Sequence, residues 1–371
     1  MDRIIFYHPV ALKENPTSGS ELRPIQMLEA FKKEGFQIDQ VVGTSKQRQV
    51  QIKKVRKQLQ AGIEYAFMYA ESATIPIPLA DPHHLPLRPL QDVLFFSELK
   101  RREIPIGLFY RDVYWQVDEL KYNGPWWKRL PKQAFLWAEW FAFRRFVDLL
   151  FLPTEDIQRL LPTPWPKEVH ALPPGCSCNS KGRKQAVTRT SRSNKSLRLF
   201  YVGGVSPPYY DLRPLLDVVG ELDNVHLTLC CREKEWQAQK HVYSLGERSD
   251  VDIVHAHSNE ISRYYYTSDL VADLRKPEGY LKTALPIKVV EALGFGIPIL
   301  LREGTAAASF VEREKTGWTV SSIDEAKKKI SYLRDHHSEV EDRRQDIKRA
   351  QPKHTWQARA QNVASLLGGE I

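Results

Sequence analysis

Short apolar runs alternate with amphipathic stretches along almost the whole chain, and each pair predicts a strand followed by a helix. Arg3–His8, with Ile4-Ile5-Phe6-Tyr7 at its centre, predicts a first buried strand. A run of turn formers, Glu14–Glu21, then leads into an amphipathic helix over Glu21–Lys33. Ser20 is its expected N-cap, and Ile25, Leu28 and Phe31 share one side. Further strands are expected at Gln37–Val42, Tyr65–Ala70, Pro105–Tyr110, Leu149–Leu152 and Lys167–Leu172. The helices between them fall at Lys46–Gln60, Gln91–Arg102, Val113–Asp118 and Lys132–Val147. Ile75–Leu90 holds five prolines and predicts an irregular surface connection.

The alternation restarts at Leu197-Arg-Leu-Phe-Tyr-Val-Gly-Gly204, a strand ending in a glycine pair. Helix Leu212–Leu222 follows, with Asp211 as its cap, then strand His226–Cys231, helix Glu235–Tyr243 and strand Val251–His257. Helix Glu260–Tyr266 and strand Asp269–Leu274 come next. Near the end, Thr316–Val320 predicts a short strand and Asp324–Ala350 one long charged helix. A last amphipathic helix opens at His354-Thr-Trp-Gln357, with Trp356, Ala360, Val363 and Leu367 as its apolar stripe. Alternation this regular implies parallel sheets, and so an α/β protein of two Rossmann-like halves.

The most informative stretch is Leu285-Pro-Ile-Lys-Val-Val-Glu-Ala-Leu-Gly-Phe-Gly-Ile-Pro-Ile-Leu300. Pro286 suits a helix start, and Gly294 and Gly296 suit its end. Ile287, Val290 and Leu293 make one face apolar, and Ile297–Leu301 predicts the buried strand that follows. Lys288 and Glu291, three apart, share the other face. The helix start is a seat for phosphate, Lys288 adds a cation, and Glu291 is placed to accept hydrogen bonds from a sugar diol. The alternative is an exposed Lys288–Glu291 ion pair.

Composition adds a direction. The chain has 371 residues, enough for two domains, and its net charge of +9 is unevenly spread. Residues 1–172 hold 24 Lys and Arg against 20 Asp and Glu, and residues 179–196 hold six against none. That favours an anionic surface or substrate meeting the first half; a generally basic solvated surface is the alternative. Four of nine tryptophans, Trp126, Trp127, Trp137 and Trp140, lie between Leu120 and Val147 among six Lys and Arg. Such a segment reads either as a membrane-interface contact or as a core helix. No apolar run of about 18 residues occurs, so no transmembrane helix is expected. Met1-Asp2-Arg3 runs straight into a strand, so no signal peptide is expected. Cys176, Cys178, Cys230 and Cys231 have no zinc-ligand spacing and read as free thiols of a cytoplasmic protein.

In parallel sheets, chemistry collects at the carboxyl ends of strands. Three small groups sit there: Ser18-Gly19-Ser20, Arg111-Asp112, and His255 with His257. Asp112 also reads as the N-cap of the helix at Val113. The histidine pair reads as structural or ligand-lining, since a zinc site would need a third ligand. The domain boundaries are expected at 1–172, a basic linker 173–196, a second domain 197–350, and a C-terminal helix 351–371 packing back toward the first.

Over residues 197–367 the chain resembles glycosyltransferase family 4, whose fold, GT-B, is two Rossmann-like domains with a cleft between them. Phe200-Tyr-Val-Gly-Gly204 is similar to the strand and glycine loop opening that family's nucleotide-sugar domain. Leu285–Ile299 is similar to its donor-binding helix, Thr316–Val320 to the segment beyond, and His354-Thr-Trp356 to the start of its last helix. Residues 1–172 match only in the positions of Ser18-Gly19-Ser20 and Arg111-Asp112.

The resemblance implies metal-independent transfer of a sugar, of hexosyltransferase type, from a UDP- or GDP-linked donor, with no other cofactor. Glu291 would bind the donor ribose. Lys288 and the backbone N–H groups from Thr283 to Leu285 would hold the diphosphate, with Arg275 or Lys276 helping. Gly203 and Gly204 would allow close backbone approach, and His257 would line the donor site. Gly19, Arg111 and Asp112 would meet the acceptor, a glycan, lipid-linked or other molecule, with Asp112 orienting or deprotonating it. Polysaccharide or glycoconjugate synthesis follows, at a membrane face if residues 120–147 touch one. Two departures stand out: the family's first glutamate is Thr283 here, and the cations after its glycine loop are replaced by Val205–Tyr210. A non-catalytic partner subunit and a nucleotide-sugar epimerase are the rival readings. Nucleic acid is not an expected partner, since no recognition motif accompanies the basic charge.

Overall fold

The computed structural model describes every residue except 1, 15, 17, 118–125, 179–195, 244, 247, 257–259 and 369–371. The chain divides into two compact units, Met1–Pro174 with Trp356–Ile371, and Gly175–Thr355.

The first unit holds β1 (Arg3–His8), β2 (Gln37–Val42), β3 (Phe67–Glu71), β4 (Ile106–Phe109), β5 (Leu149–Leu152) and β6 (Val169–Ala171). They form one parallel sheet in the order β2-β1-β3-β4-β5-β6. The chain moves from β1 to β2 on one side and then to β3 on the other, so the switch point lies between β1 and β3. Helices α1 (Gly19–Lys33), α2 (Ser45–Gln60), α3 (Gln91–Arg101) and α4 (Trp126–Phe146) connect the strands.

Three expectations in this unit change. The N-cap of α1 is Ser18, whose carbonyl accepts from the N–H groups of Glu21 and Leu22, so the helix starts at Gly19 rather than after Ser20. In place of a helix from Val113 there is one 3-10 turn, Tyr114–Gln116. The α4 helix starts at Trp126, ahead of the expected Lys132, and carries Pro131 inside it at the cost of one backbone hydrogen bond. Trp140 is fully buried on it, while Trp126 and Trp127 are 65% and 58% exposed.

The second unit has β7 (Leu197–Val202), β8 (Val225–Cys230), β9 (Val251–Val254), β10 (Leu270–Asp273), β11 (Ile299–Arg302) and β12 (Gly317–Val320). Again the sheet is parallel, ordered β12-β11-β10-β7-β8-β9, with the switch point between β7 and β10. Its helices are α5 (Arg213–Gly220), α6 (Glu233–Tyr243), α7 (Ile261–Thr267), α8 (Ile287–Phe295), α9 (Ala306–Arg313), α10 (Ile323–Asp335) and α11 (His337–Ala350). The single long helix expected over Asp324–Ala350 is two. His336 breaks it: the backbone leaves the helical region there, its Nδ1 lies 2.9 Å from the Tyr332 carbonyl, and its ring stacks on Tyr332.

The first residues of the expected linker are structured. Cys176 is buried, donates its N–H to the His354 carbonyl at 2.8 Å, and packs where a side chain at Gly294 would sit. Cys230 and Cys231, at the end of β8, are buried too. The last helix, α12 (Trp356–Leu367), belongs to the first unit and packs on α1. A side chain at Gly107 on β4 would lie 2.5 Å from Leu367 Cδ1 and 2.9 Å from the Phe151 ring, so glycine there makes room for α12.

Candidate functional site

In the second unit the organising stretch folds as its pattern dictates. Pro286 precedes α8, and Gly296 ends it at φ 72°, a left-handed conformation that glycine adopts without strain. Ile297 and Ile299 are buried. This places the start of α8 beside the carboxyl ends of β7 and β10, at the switch point.

Three charged side chains meet there. Arg275 clamps Asp273, the last residue of β10, with Nε to Oδ1 at 2.7 Å and Nη2 to Oδ2 at 2.6 Å. Lys288 Nζ lies 3.0 Å from Asp273 Oδ2. All three residues are buried. The Lys288 ammonium is also 4.3 Å from the centre of the Tyr201 ring, a cation–π contact. Burial pushes the Lys288 pKa down to about 8, with Arg275 adding to that fall and Asp273 opposing it. Burial would raise the Asp273 pKa, but Lys288 and Arg275 outweigh it and hold the carboxyl ionised, well below the usual range. The alternative of an exposed Lys288–Glu291 pair is thus overturned: Lys288 turns to Asp273. Glu291, one turn along, is half-buried, and its Oε2 accepts from the Tyr265 hydroxyl at 3.4 Å. Burial raises its pKa.

The loop after β7 is stitched to this cluster. Gly203 has φ 154°, and a Cβ there would sit 3.1 Å from Lys288 Nζ. At Gly204 a Cβ would meet the Tyr210 ring at 2.9 Å. Both glycines therefore give space to the protein's own side chains. Arg275 Nη1 donates to the Tyr209 carbonyl at 3.1 Å, and its guanidinium lies 4.8 Å from the Tyr210 ring centre. Glu235 Oε1 accepts from the Val205 N–H and the Ser206 hydroxyl.

Two expectations for this unit shift. The N–H groups of Thr283 and Ala284 already bond to the Tyr280 and Leu281 carbonyls, closing the turn Gly279–Lys282, and the Leu285 side chain is core. The backbone from Thr283 to Leu285 is therefore not a row of open donors. Lys276 is exposed and pairs with Glu278, leaving Arg275 as the second cation at the cluster. His255 places Nδ1 3.0 Å from the Cys231 carbonyl, a structural contact, and His257 lies outside the described residues. Among the described residues no group of three or more His, Cys, Asp or Glu is arranged to hold a metal ion.

In the first unit the ends of β1, β3 and β4 carry a second group. His8 ends β1, with Nδ1 2.7 Å from the Val10 carbonyl and Nε2 3.2 Å from Arg111 Nη2. A carbonyl only accepts, so Nδ1 carries the proton and Nε2 accepts from Arg111. Burial, helped by the charges of Arg111 and Arg48 and opposed by the Val10 hydrogen bond, lowers the His8 pKa to about 4, so the ring is neutral. The Arg111 N–H donates to Ser72 Oγ at 3.0 Å. Asp112 is buried and accepts from the Thr74 hydroxyl at 2.7 Å and from the Tyr114 N–H, but the N-cap of the turn that follows is Val113, not Asp112 as expected. Burial raises its pKa. Gly19 opens α1.

Sequence reasoning named Arg111, Asp112, Lys288, Glu291 and Arg275 but missed His8, Ser72, Thr74 and Asp273. The signal for two of these was present: His8 and Asp273 are the polar last residues of apolar strands, where parallel sheets bind ligands.

Residues 212–365 match the family described as "Glycosyl transferase-like". No curated protein matches the sequence. Among solved structures, sucrose-phosphate synthase from Thermosynechococcus elongatus is similar at TM-score 0.65 and 13% identity, over 99% of this chain and 98% of that one. Anabaena HepE in complex with UDP-glucose is similar at TM-score 0.61 and 15% identity, over 98% and 99%. A UDP-forming trehalose-phosphate synthase from Burkholderia xenovorans is similar at TM-score 0.57 and 13% identity, over 99% of each chain. At these identities the likeness is one of fold.

Proposed function

We propose that this chain, a glycosyltransferase of the GT-B fold, takes a sugar from a nucleoside-diphosphate carrier held where β7, β10 and α8 of its second unit meet. One observation carries the reading: two buried cations, Lys288 and Arg275, converge on one carboxylate at the switch point, with Glu291 one turn along the same helix. The diphosphate binds at Lys288 and Arg275, and Glu291 accepts hydrogen bonds from the ribose hydroxyls. As the glycosidic bond breaks, negative charge grows on the departing diphosphate. Lys288, Arg275 and the positive end of α8 are placed to stabilise it, in a site from which burial excludes much of the water.

The similar HepE structure holds UDP-glucose, so UDP-linked sugars are the first donors to test and GDP-linked ones the second. The acceptor, a glycan or lipid-linked molecule, is assigned to the His8–Arg111–Asp112 group of the first unit. There Arg111 is oriented by a neutral imidazole, and Asp112, with its raised pKa, is the candidate for handling the acceptor proton. Among the described residues no helix is long and apolar enough to cross a membrane. The exposed Trp126, Trp127 and Leu130, beside Arg129, support peripheral contact with an anionic membrane face.

The deciding experiment is thermal unfolding of wild type and Glu291→Ala against a panel of nucleotides and nucleotide sugars. A ligand at 100 times its dissociation constant stabilises by about 2.7 kcal/mol. Stabilisation by one nucleotide, lost in Glu291→Ala, supports the reading; none with any nucleotide rejects it. Vesicle co-sedimentation of the Trp126→Ser, Trp127→Ser double variant tests the membrane contact separately.

A further inference from the structure

The buried carboxylate of Asp273 has no part in the donor contacts described above, yet it is the group on which they converge. It receives two hydrogen bonds from Arg275 and lies 3.0 Å from Lys288 Nζ. Lys288 meets a carbonyl or carboxylate nowhere else among the described residues, so its remaining N–H donors are open. The other groups facing it are the Tyr201 ring on β7 and the Arg275 guanidinium beyond β10; Glu291 lies one turn along α8. An ammonium enclosed this way loses water on every side and has a single fixed anion to replace it.

We propose that Asp273 is the positioning residue of the donor site: it stands in for the diphosphate in the empty protein, holding Lys288 and Arg275 in the poses from which they receive it. The inference rests on the reading of this cluster as the donor site. It goes beyond that reading by assigning a function to an acidic residue in a site for an anion, where charge alone would forbid one. Simple electrostatics expects removal of Asp273 to strengthen anion binding, since one negative charge is lost. The positioning role expects the opposite above neutrality. Without Asp273, burial and Arg275 both act on Lys288 unopposed and drive it toward the neutral amine, which offers the diphosphate no charge.

The test is calorimetric binding of UDP and GDP to the full chain between about pH 6 and pH 9, for wild type, Asp273→Asn and Lys288→Arg. The ratio of the Asp273→Asn to the wild-type Kd cancels the titration of the nucleotide itself. That ratio is expected to stay within about 3-fold near pH 6 and to reach roughly 10-fold near pH 8, as a tenfold fall in the charged fraction of Lys288 implies. Lys288→Arg, whose guanidinium keeps its charge, should lose the alkaline fall-off that wild type shows above about pH 8. A ratio that does not change with pH, or tighter binding by Asp273→Asn throughout, overturns the proposal while leaving the donor site in place. Wild type that binds neither nucleotide at any pH removes the donor reading and the proposal with it. If Asp273→Asn does not stay folded alone, its unfolding is followed with saturating pyrophosphate. Recovery of the folded state shows an anion replacing the carboxylate; failure to recover it counts against the proposal.

Discussion

Arg111 donates from Nη2 to Nε2 of His8 at 3.2 Å, which ties the end of β4 to the end of β1. The imidazole is buried and held neutral, with a pKa of about 4 against an ordinary 6.5. A histidine whose folded pKa is lowered stabilises the fold least in acid. Below about pH 6.5 the unfolded chain takes up a proton that the folded chain refuses, so stability falls from there toward pH 4. His8→Gln lacks this titration. Its stability relative to wild type should therefore improve by about 2 kcal/mol on moving from pH 7 to pH 5, read by urea unfolding at both values. An unchanged difference would mean that the folded ring takes up its proton over the same pH range as the unfolded chain.

The same contact bears on the acceptor. If Arg111 is oriented by His8, then His8→Gln should weaken acceptor use while leaving nucleotide binding within about 2-fold, since the two groups lie in different units. Once an acceptor is in hand, KM and kcat for it separate the outcomes. A parallel loss of nucleotide affinity would show that the substitution acts through general stability.

Most of the fold was legible because a parallel sheet leaves a plain mark. A strand buried on both faces reads as a continuous apolar run, and the helices between carry a 3.6-residue period. Leu285–Leu300 was the clearest case: the proline before α8 and the glycine after it fixed both ends. The helix break at His336 was not legible, since Asp324–Ala350 contains neither proline nor glycine, and the residue that leaves the helical region is a histidine whose backbone N–H and ring both meet the Tyr332 carbonyl. The site was half legible. Lys288 and Glu291 could be found because helical periodicity puts them on one face. Their partners could not: Asp273 and Tyr265 come from other elements, and only tertiary structure brings Lys288 to one and Glu291 to the other.

Gly107 gives a test of how the chain end completes the first unit. Adding a methyl there would push into Leu367 on α12 and into the Phe151 ring. The leucine tip can turn aside, but the ring is packed in the sheet core. Gly107→Ala should cost about 1–3 kcal/mol, the usual range for overpacking. In a Leu367→Ala background the added cost should be smaller, a coupling that a double-mutant cycle in denaturant unfolding would measure. Strict additivity would place α12 elsewhere in solution.

Glu139 on α4 supplies the last prediction. Its carboxyl is buried, and although Oε2 accepts the Ile77 N–H at 2.6 Å, burial pushes its pKa up to about 8. The sign is opposite to the usual carboxylate. The folded chain keeps a proton that the unfolded chain releases above about pH 4.5, so stability is present in mild acid and drains away as the pH rises toward 8. Glu139→Gln retains an oxygen for the Ile77 N–H and has nothing to ionise. It should match wild type near pH 5 and exceed it by on the order of 3 kcal/mol near pH 8, seen as a higher Tm there and little change in acid. An equal effect at both pH values would point instead to the amide's own hydrogen bonds, and a loss at pH 8 would mean that the ionised carboxylate holds α4 against the turn at Ile77.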